Sequence, residues 1–189
     1  MGQDVKIAIT QISTKFKGLW KIFADAIFSK NTDIALGVVT ADCVPVLFYD
    51  EANKIVGCIH AGWRGVLNGI IENTIEKFIS NGEKENNIKI YVGPHLKKAS
   101  FEVKDDFIQD LRKNVYNFED YISLEEKKIK FDFSRLIKSK ILNLNIKKLS
   151  ISNLDTFSNP SRFFSHRYCS SNKIKICGRQ ISLVGIKNN

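Results

Sequence analysis

The sequence predicts a single domain over residues 1–189, of α+β or mixed α/β class. Three observations predict it. Short runs rich in β-branched and aromatic residues, at 34–39, 44–49, 55–59 and 88–92, have the length and composition of buried strands. Elsewhere apolar residues recur at three- and four-residue steps, which marks amphipathic helices. The segments run strand, strand, strand, helix, strand, helix, strand, helix, strand, strand, so a strictly alternating parallel sheet does not fit and a mixed sheet does.

Taken in order, 34–39 and 44–49 are apolar strands, and Glu51-Ala52-Asn53-Lys54 is the turn that pairs the second with 55–59. Gly62 and Gly65 interrupt the pattern. Leu67, Ile70, Ile71, Ile75, Phe78 and Ile79 then predict a helix over 66–80, with Gly82 just past its end. The strand at 88–92 stops at Gly93-Pro94. Phe107, Ile108, Leu111 and Val115 form a second helix face. Residues 129–133 alternate as a strand, and a third helix over 134–142 has Asp132 or Ser134 as its cap. Two late strands, 149–152 and 180–186, complete the set.

Composition narrows the function classes. Hydrophobic residues make up 43% and charged residues 26% of 189, which excludes disorder as the main theme and fits one packed core. No apolar run approaches the ~20 residues of a membrane-spanning helix. The N-terminal Met1-Gly2-Gln3-Asp4-Val5-Lys6 lacks a basic region followed by an apolar core, so a cytoplasmic protein is expected. The net charge of +9 reflects a general bias toward Lys, Ile and Asn, with lysines scattered rather than striped, and predicts neither nucleic-acid nor membrane binding. Arginine is scarce, with six residues. Four of them, Arg64, Arg162, Arg167 and Arg179, fall in segments that are unusual for other reasons, as if a flat, bidentate guanidinium is wanted there. The four cysteines, Cys43, Cys58, Cys169 and Cys177, form no Cys-x-x-Cys pair and read as reduced thiols, Cys169 and Cys177 having no identifiable partner.

The segment with most chemistry is Thr40-Ala41-Asp42-Cys43, followed seventeen positions later by His60-Ala61-Gly62-Trp63-Arg64-Gly65. Cys43 precedes one strand of the hairpin and His60 ends the other, so the two are neighbours at its open end. A thiolate beside an imidazole can be two ligands of a zinc ion, or a nucleophile and its base. It can equally be a small buried residue beside a satisfied core histidine. The small-residue turn after His60 opens a helix, a seat for phosphate, which Arg64 would clamp through two hydrogen bonds. Trp63 offers a flat face to a nucleobase or anchors the core. Asp42 would orient His60, hold a ribose hydroxyl or cap a turn. Cys58, placed on the opposite face from His60, reads as core. His95 is an exposed loop histidine or faces the same cleft. Residues 159–167, with Arg162, His166 and Arg167 around Phe163 and Phe164, form a recognition loop or an edge strand.

Together with Ala24-Asp25-Ala26, Gly93-Pro94, Phe101-Glu102-Val103, Arg162-Phe163-Phe164-Ser165 and Gly178-Arg179-Gln180, these motifs resemble the YfiH/YlmD family, also called the laccase-domain or polyphenol oxidase family. The resemblance runs from about residue 7 to 186. It implies a layered α/β/β/α fold and a zinc ion held by one Cys and two His, mapping onto Cys43 and His60. It implies purine nucleoside phosphorylase and adenosine deaminase activity, with a purine nucleoside and phosphate as partners. Copper-dependent polyphenol oxidation is an older assignment, less favoured here, and relatives are linked to peptidoglycan-precursor editing. The second His ligand falls on Ser13, and the family's Cys-Thr-Tyr reads Asp155-Thr156-Phe157; the chain also begins late relative to the family pattern. A neutral hydroxyl is a far poorer zinc ligand than imidazole. His95 or His166 would then supply the missing ligand, zinc would bind weakly, or the chain is an inactive member. A metal-independent Cys43–His60 hydrolase is the main alternative.

Overall fold

A computed structural model describes residues 24–80 and 84–186. The N-terminal hexapeptide, Ser13 and Gly82 lie outside the described residues. Ten strands and five helices are described. The main sheet has the order β1 (Ala26–Ser29), β4 (Ile55–Ala61), β3 (Val44–Asp50), β5 (Ile88–Val92), β9 (Lys148–Ile151). All its neighbours are antiparallel except β5 and β9. A second sheet pairs β2 (Ala35–Thr40) with β10 (Gln180–Gly185), antiparallel. A third joins β6 (Glu102–Val103), β8 (Lys128–Phe131) and β7 (Ile122–Glu125). The mixed-sheet α/β class read from the sequence is therefore the architecture observed.

Strand alternation explains the layering. One face of β4 sends Ile55, Ile59 and Ala61 into the large core, where they meet Ile70, Ile71, Ile75 and Phe78 of α2 (Ile70–Ser80) and Leu136, Ile137 and Ile141 of α4 (Phe133–Asn143). The other face sends Val56 and Cys58 into a small cluster with Leu36 and Val38 of β2. The order is thus helices, main sheet, small sheet. Beyond the small sheet, Val39, Ile181 and Leu183 are 53%, 55% and 58% exposed, so no described helix covers that outer face. None of the described helices is long and apolar enough to cross a membrane.

Several local expectations hold for the reasons given. The 51–54 turn is fastened by the buried Asp50 carboxylate, which accepts from the amides of Ala52 and Asn53. Asp132 caps α4 by accepting from the Arg135 amide. Others change. The helix expected over 66–80 is two, α1 (Trp63–Leu67) and α2, because Gly69 adopts φ +81 between them. The helix face at 107–115 is α3 (Asp105–Asn114). Residues 159–167 are not a strand: Ser165 accepts from the Tyr168 amide and caps α5 (His166–Ser171). Cys169 and Cys177 pair as a disulfide with Cα atoms 5.9 Å apart. The eight-residue spacing hid the pair, because α5 and the return of the chain toward β10 are needed to bring the two together.

Candidate active site

The hairpin register sets the site. Pro45 pairs with His60 and Val44 with Ala61, so Cys43 lies one step beyond the β3 end, beside the end of β4. A Cβ built on Gly62 would stand 3.6 Å from Cys43 Sγ and 3.6 Å from His60 Cε1; thiol and imidazole line the same spot. The two residues that the sequence predicts as neighbours are brought together. Cys43 and Cys58 are the free cysteines among the described residues. Cys58 is core, its thiol pushed up to about 12 by burial. It shares the face of His60 instead of opposing it, since residues two apart on a strand point the same way.

His60 is half-buried, and its pKa is raised to about 9. The hydrogen bond to Cys43 is the main cause; burial opposes it, and Asp25 adds a smaller push in the same direction. Asp25 Oδ1 lies 3.1 Å from His60 Nδ1, and the Asp25 carbonyl accepts from the His60 amide at 2.7 Å. Asp25 therefore orients the ring and leaves Nε2 as the nitrogen a metal would take. Orienting His60 is one of the three roles the sequence offers for Asp42; the structure gives it to Asp25. The signal for Asp25 was present in Ala24-Asp25-Ala26, but no spacing rule connects residues thirty-five apart.

Asp42 is occupied elsewhere. Its Oδ1 accepts from the Thr156 hydroxyl at 2.7 Å, its Oδ2 from the Arg167 amide at 2.6 Å, and its carbonyl from the Leu96 amide at 3.1 Å. Of the readings given to it, fixing a turn is the one these bonds describe. Its backbone has φ +82, a left-handed conformation that Asp tolerates better than most residues. Arg64 is exposed, with its guanidinium 4.1 Å from the centroid of the Trp63 ring. Trp63 is half-buried and packs on Phe107 at 4.7 Å, with Arg64 over the ring. Arg162 is exposed beside Phe163. Arg167 is turned inward, donating to the Glu102 carbonyl at 3.0 Å. His166 is exposed at the start of α5.

His95 corrects the exposed-loop reading, for it is fully buried. Its Nδ1 lies 2.7 Å from the Gly93 carbonyl, and its Nε2 lies 2.8 Å from Ser134 Oγ and 3.2 Å from Lys97 Nζ. Both ring nitrogens are engaged away from Cys43. Among the described residues no three His, Cys, Asp or Glu side chains group to hold a metal ion. Cys43 and His60 are of the donor types zinc takes, but a catalytic zinc site takes three protein ligands. The pair fits in kind and supplies two; position 13 lies outside the described residues.

Residues 3–187 match the family described as multi-copper polyphenol oxidoreductase laccase. The chain belongs to this family. Over 146 residues it is 35% identical to a purine nucleoside phosphorylase of Rickettsia prowazekii, covering 76% of this chain and 60% of that relative. Over 98 residues it is 34% identical to an adenosine deaminase from an unknown prokaryotic organism, covering 52% of this chain and 37% of the relative. The crystal structure of a hypothetical protein YfiH from Bacillus licheniformis superimposes with a TM-score of 0.77 at 27% identity, over 87% of this chain and 62% of that one. This laccase-family chain thus shares the YfiH fold, and it spans about 60% of the length of the curated relatives it matches.

Proposed function

We propose that the protein acts on purine nucleosides, splitting them with phosphate and deaminating adenosine, at a zinc site that includes Cys43 and His60. The observation that carries this reading is the Cys43 sulfur and His60 ring lining one spot over Gly62. The relatives' names, phosphorylase and deaminase, supply the substrate class. Bound zinc would supply Lewis acidity and a lowered pKa for water.

The chain's own residues do the rest. Asp25 fixes the His60 ring through Nδ1. Arg64, held over Trp63 at the start of α1, presents a bidentate donor to phosphate. Holding phosphate in line with the ribose carbon converts an encounter into a positioned attack. Arg162, exposed on the loop before α5, is a second donor for the nucleoside or the phosphate.

One observation favours a second reading. An imidazole raised to about 9 chiefly by Cys43 is also the environment of a nucleophilic thiol with its base. One experiment separates the two. Zinc content is measured on purified protein, and purine release from adenosine with phosphate is followed with chelator or with iodoacetamide. The zinc reading expects bound zinc and loss of turnover with chelator. Turnover that survives chelation but is lost on alkylation of Cys43 overturns it in favour of the thiol hydrolase. Metal-free protein without turnover overturns the zinc reading.

A further inference from the structure

We propose that Thr156 is a positioning residue for Cys43, acting through the Asp42 carboxylate. Asp42 sits in the three-residue passage from β2, in the small sheet, to β3, in the main sheet. So short a crossing between layers needs a sharp turn, and Asp42 supplies it at φ +82. A non-glycine residue holds such a conformation only where its surroundings fix it. Here three bonds from three separate segments do so: the Thr156 hydroxyl on Oδ1, the Arg167 amide on Oδ2 and the Leu96 amide on the carbonyl. Cys43 is the next residue, so the direction of its side chain follows from the Asp42 backbone.

Thr156 is fully buried, and it is the only side-chain hydroxyl among the described residues that donates to this carboxylate. Its own backbone is fastened independently. The Thr156 amide donates to the His95 carbonyl, and neighbouring Asp155 accepts from Ser100 Oγ at 2.5 Å and from the Phe157 amide at 3.1 Å. Removing the hydroxyl therefore releases Asp42 without releasing the strap that carries Thr156. The Arg167 amide is placed by α5, whose Cys169 is joined to Cys177. The clamp thus joins two parts of the chain more than a hundred residues from the Cys43 segment.

The role in turnover rests on the purine reading above, whereas the clamp itself is tested without substrate. The rate at which iodoacetamide alkylates Cys43 is read by peptide mass spectrometry, with and without chelator, in the wild type, Thr156→Val, Thr156→Ser, Asp42→Gly and the Asp42→Gly/Thr156→Val double variant. Thr156→Val is expected to slow alkylation about tenfold, the scale of one hydrogen bond to a charged group, as the thiol leaves the imidazole. Thr156→Ser, which keeps the hydroxyl, is expected to restore the wild-type rate. Glycine is at ease at positive φ, so Asp42→Gly folds while losing both carboxylate bonds, and adding Thr156→Val to it is expected to change nothing further. Circular dichroism confirms the fold of each. A wild-type or faster rate in Thr156→Val overturns the proposal. If that variant fails to fold, a wild-type rate in Asp42→Ala, which loses both carboxylate bonds and gains no ease at positive φ, overturns it instead. Absence of purine turnover leaves these rates, and hence the clamp, to stand or fall separately.

Discussion

His60 and His95 lie near the same end of the main sheet, one closing β4 and the other three residues past β5, yet their surroundings drive them in opposite directions. His60 is half-buried between a thiol and a carboxylate, and its pKa rises to about 9. His95 is fully buried, and its pKa falls to about 4, chiefly through desolvation and then through the Lys97 ammonium. Buried polar networks order a structure when every member is satisfied, and His95 ties the 93–97 loop to Ser134 at the start of α4 in this way. Sites that bind or react keep partners of opposite charge and an open side. A histidine after a strand end is not thereby a site residue; the groups it faces decide.

The contrast breaks most sharply in the pair of variants His60→Gln and His95→Gln. On the purine-nucleoside reading, His60→Gln is expected to lower kcat/KM for adenosine phosphorolysis on the order of a thousandfold, with a smaller drop in the urea midpoint than His95→Gln gives. His95→Gln should do the reverse. Equal activity losses in the two would erase the distinction.

The second effect is in stability against pH. His95 has a folded pKa near 4 against 6.5 for an unconstrained imidazole, so the unfolded chain takes up its proton first. Stability contributed by the neutral ring is full above pH 6.5 and is lost as pH falls toward 4, by roughly 3 kcal/mol in all. Burial sets the sign; Lys97 Nζ at 3.2 Å adds to it by repelling a second cation, and the Gly93 carbonyl and Asp155 offset it in part. Urea unfolding at steps between pH 7 and 4 should show this slope in the wild type and a shallower one in His95→Gln. Matching slopes would remove His95 from the account.

How much of this was legible beforehand depends on range in the chain. Cys43 and His60 were readable as neighbours because a single hairpin joins them, and hairpin register is a local property. Helix caps such as Asp132 were readable for the same reason. What escaped was fixed by contacts far apart in sequence. Asp25 reaches His60 only because β1 lies beside β4. Thr156 reaches Asp42 only because β5 and β9 run parallel and carry their following loops to the same end. Cys169 reaches Cys177 through an unforeseen short helix. Residue types near a motif could be read as chemistry, but which of two aspartates serves the histidine required the strand order.

That choice gives the smallest and most discriminating effect. Asp25 is 49% exposed and His60 35%, so the ion pair contributes at most about 1 kcal/mol to folding. Its larger consequence is orientation. In Asp25→Asn the amide oxygen still accepts from Nδ1–H, but the negative charge behind the ring is gone. Partners that orient a ligating histidine typically change metal affinity or activity by 10–100-fold, and with an acceptor retained the lower end, about tenfold, is expected here. Zinc affinity by competition with a chelating dye and kcat/KM should fall together, with thermal unfolding unchanged. Asp42→Asn offers the counterpart. It keeps the Asp25 contact at Nδ1 and disturbs the Thr156 and Arg167 bonds, so it should slow Cys43 alkylation and move the His60 resonances as the thiol withdraws. If Asp42→Asn slows Cys43 alkylation less than Asp25→Asn does, the carboxylates have been assigned the wrong way round.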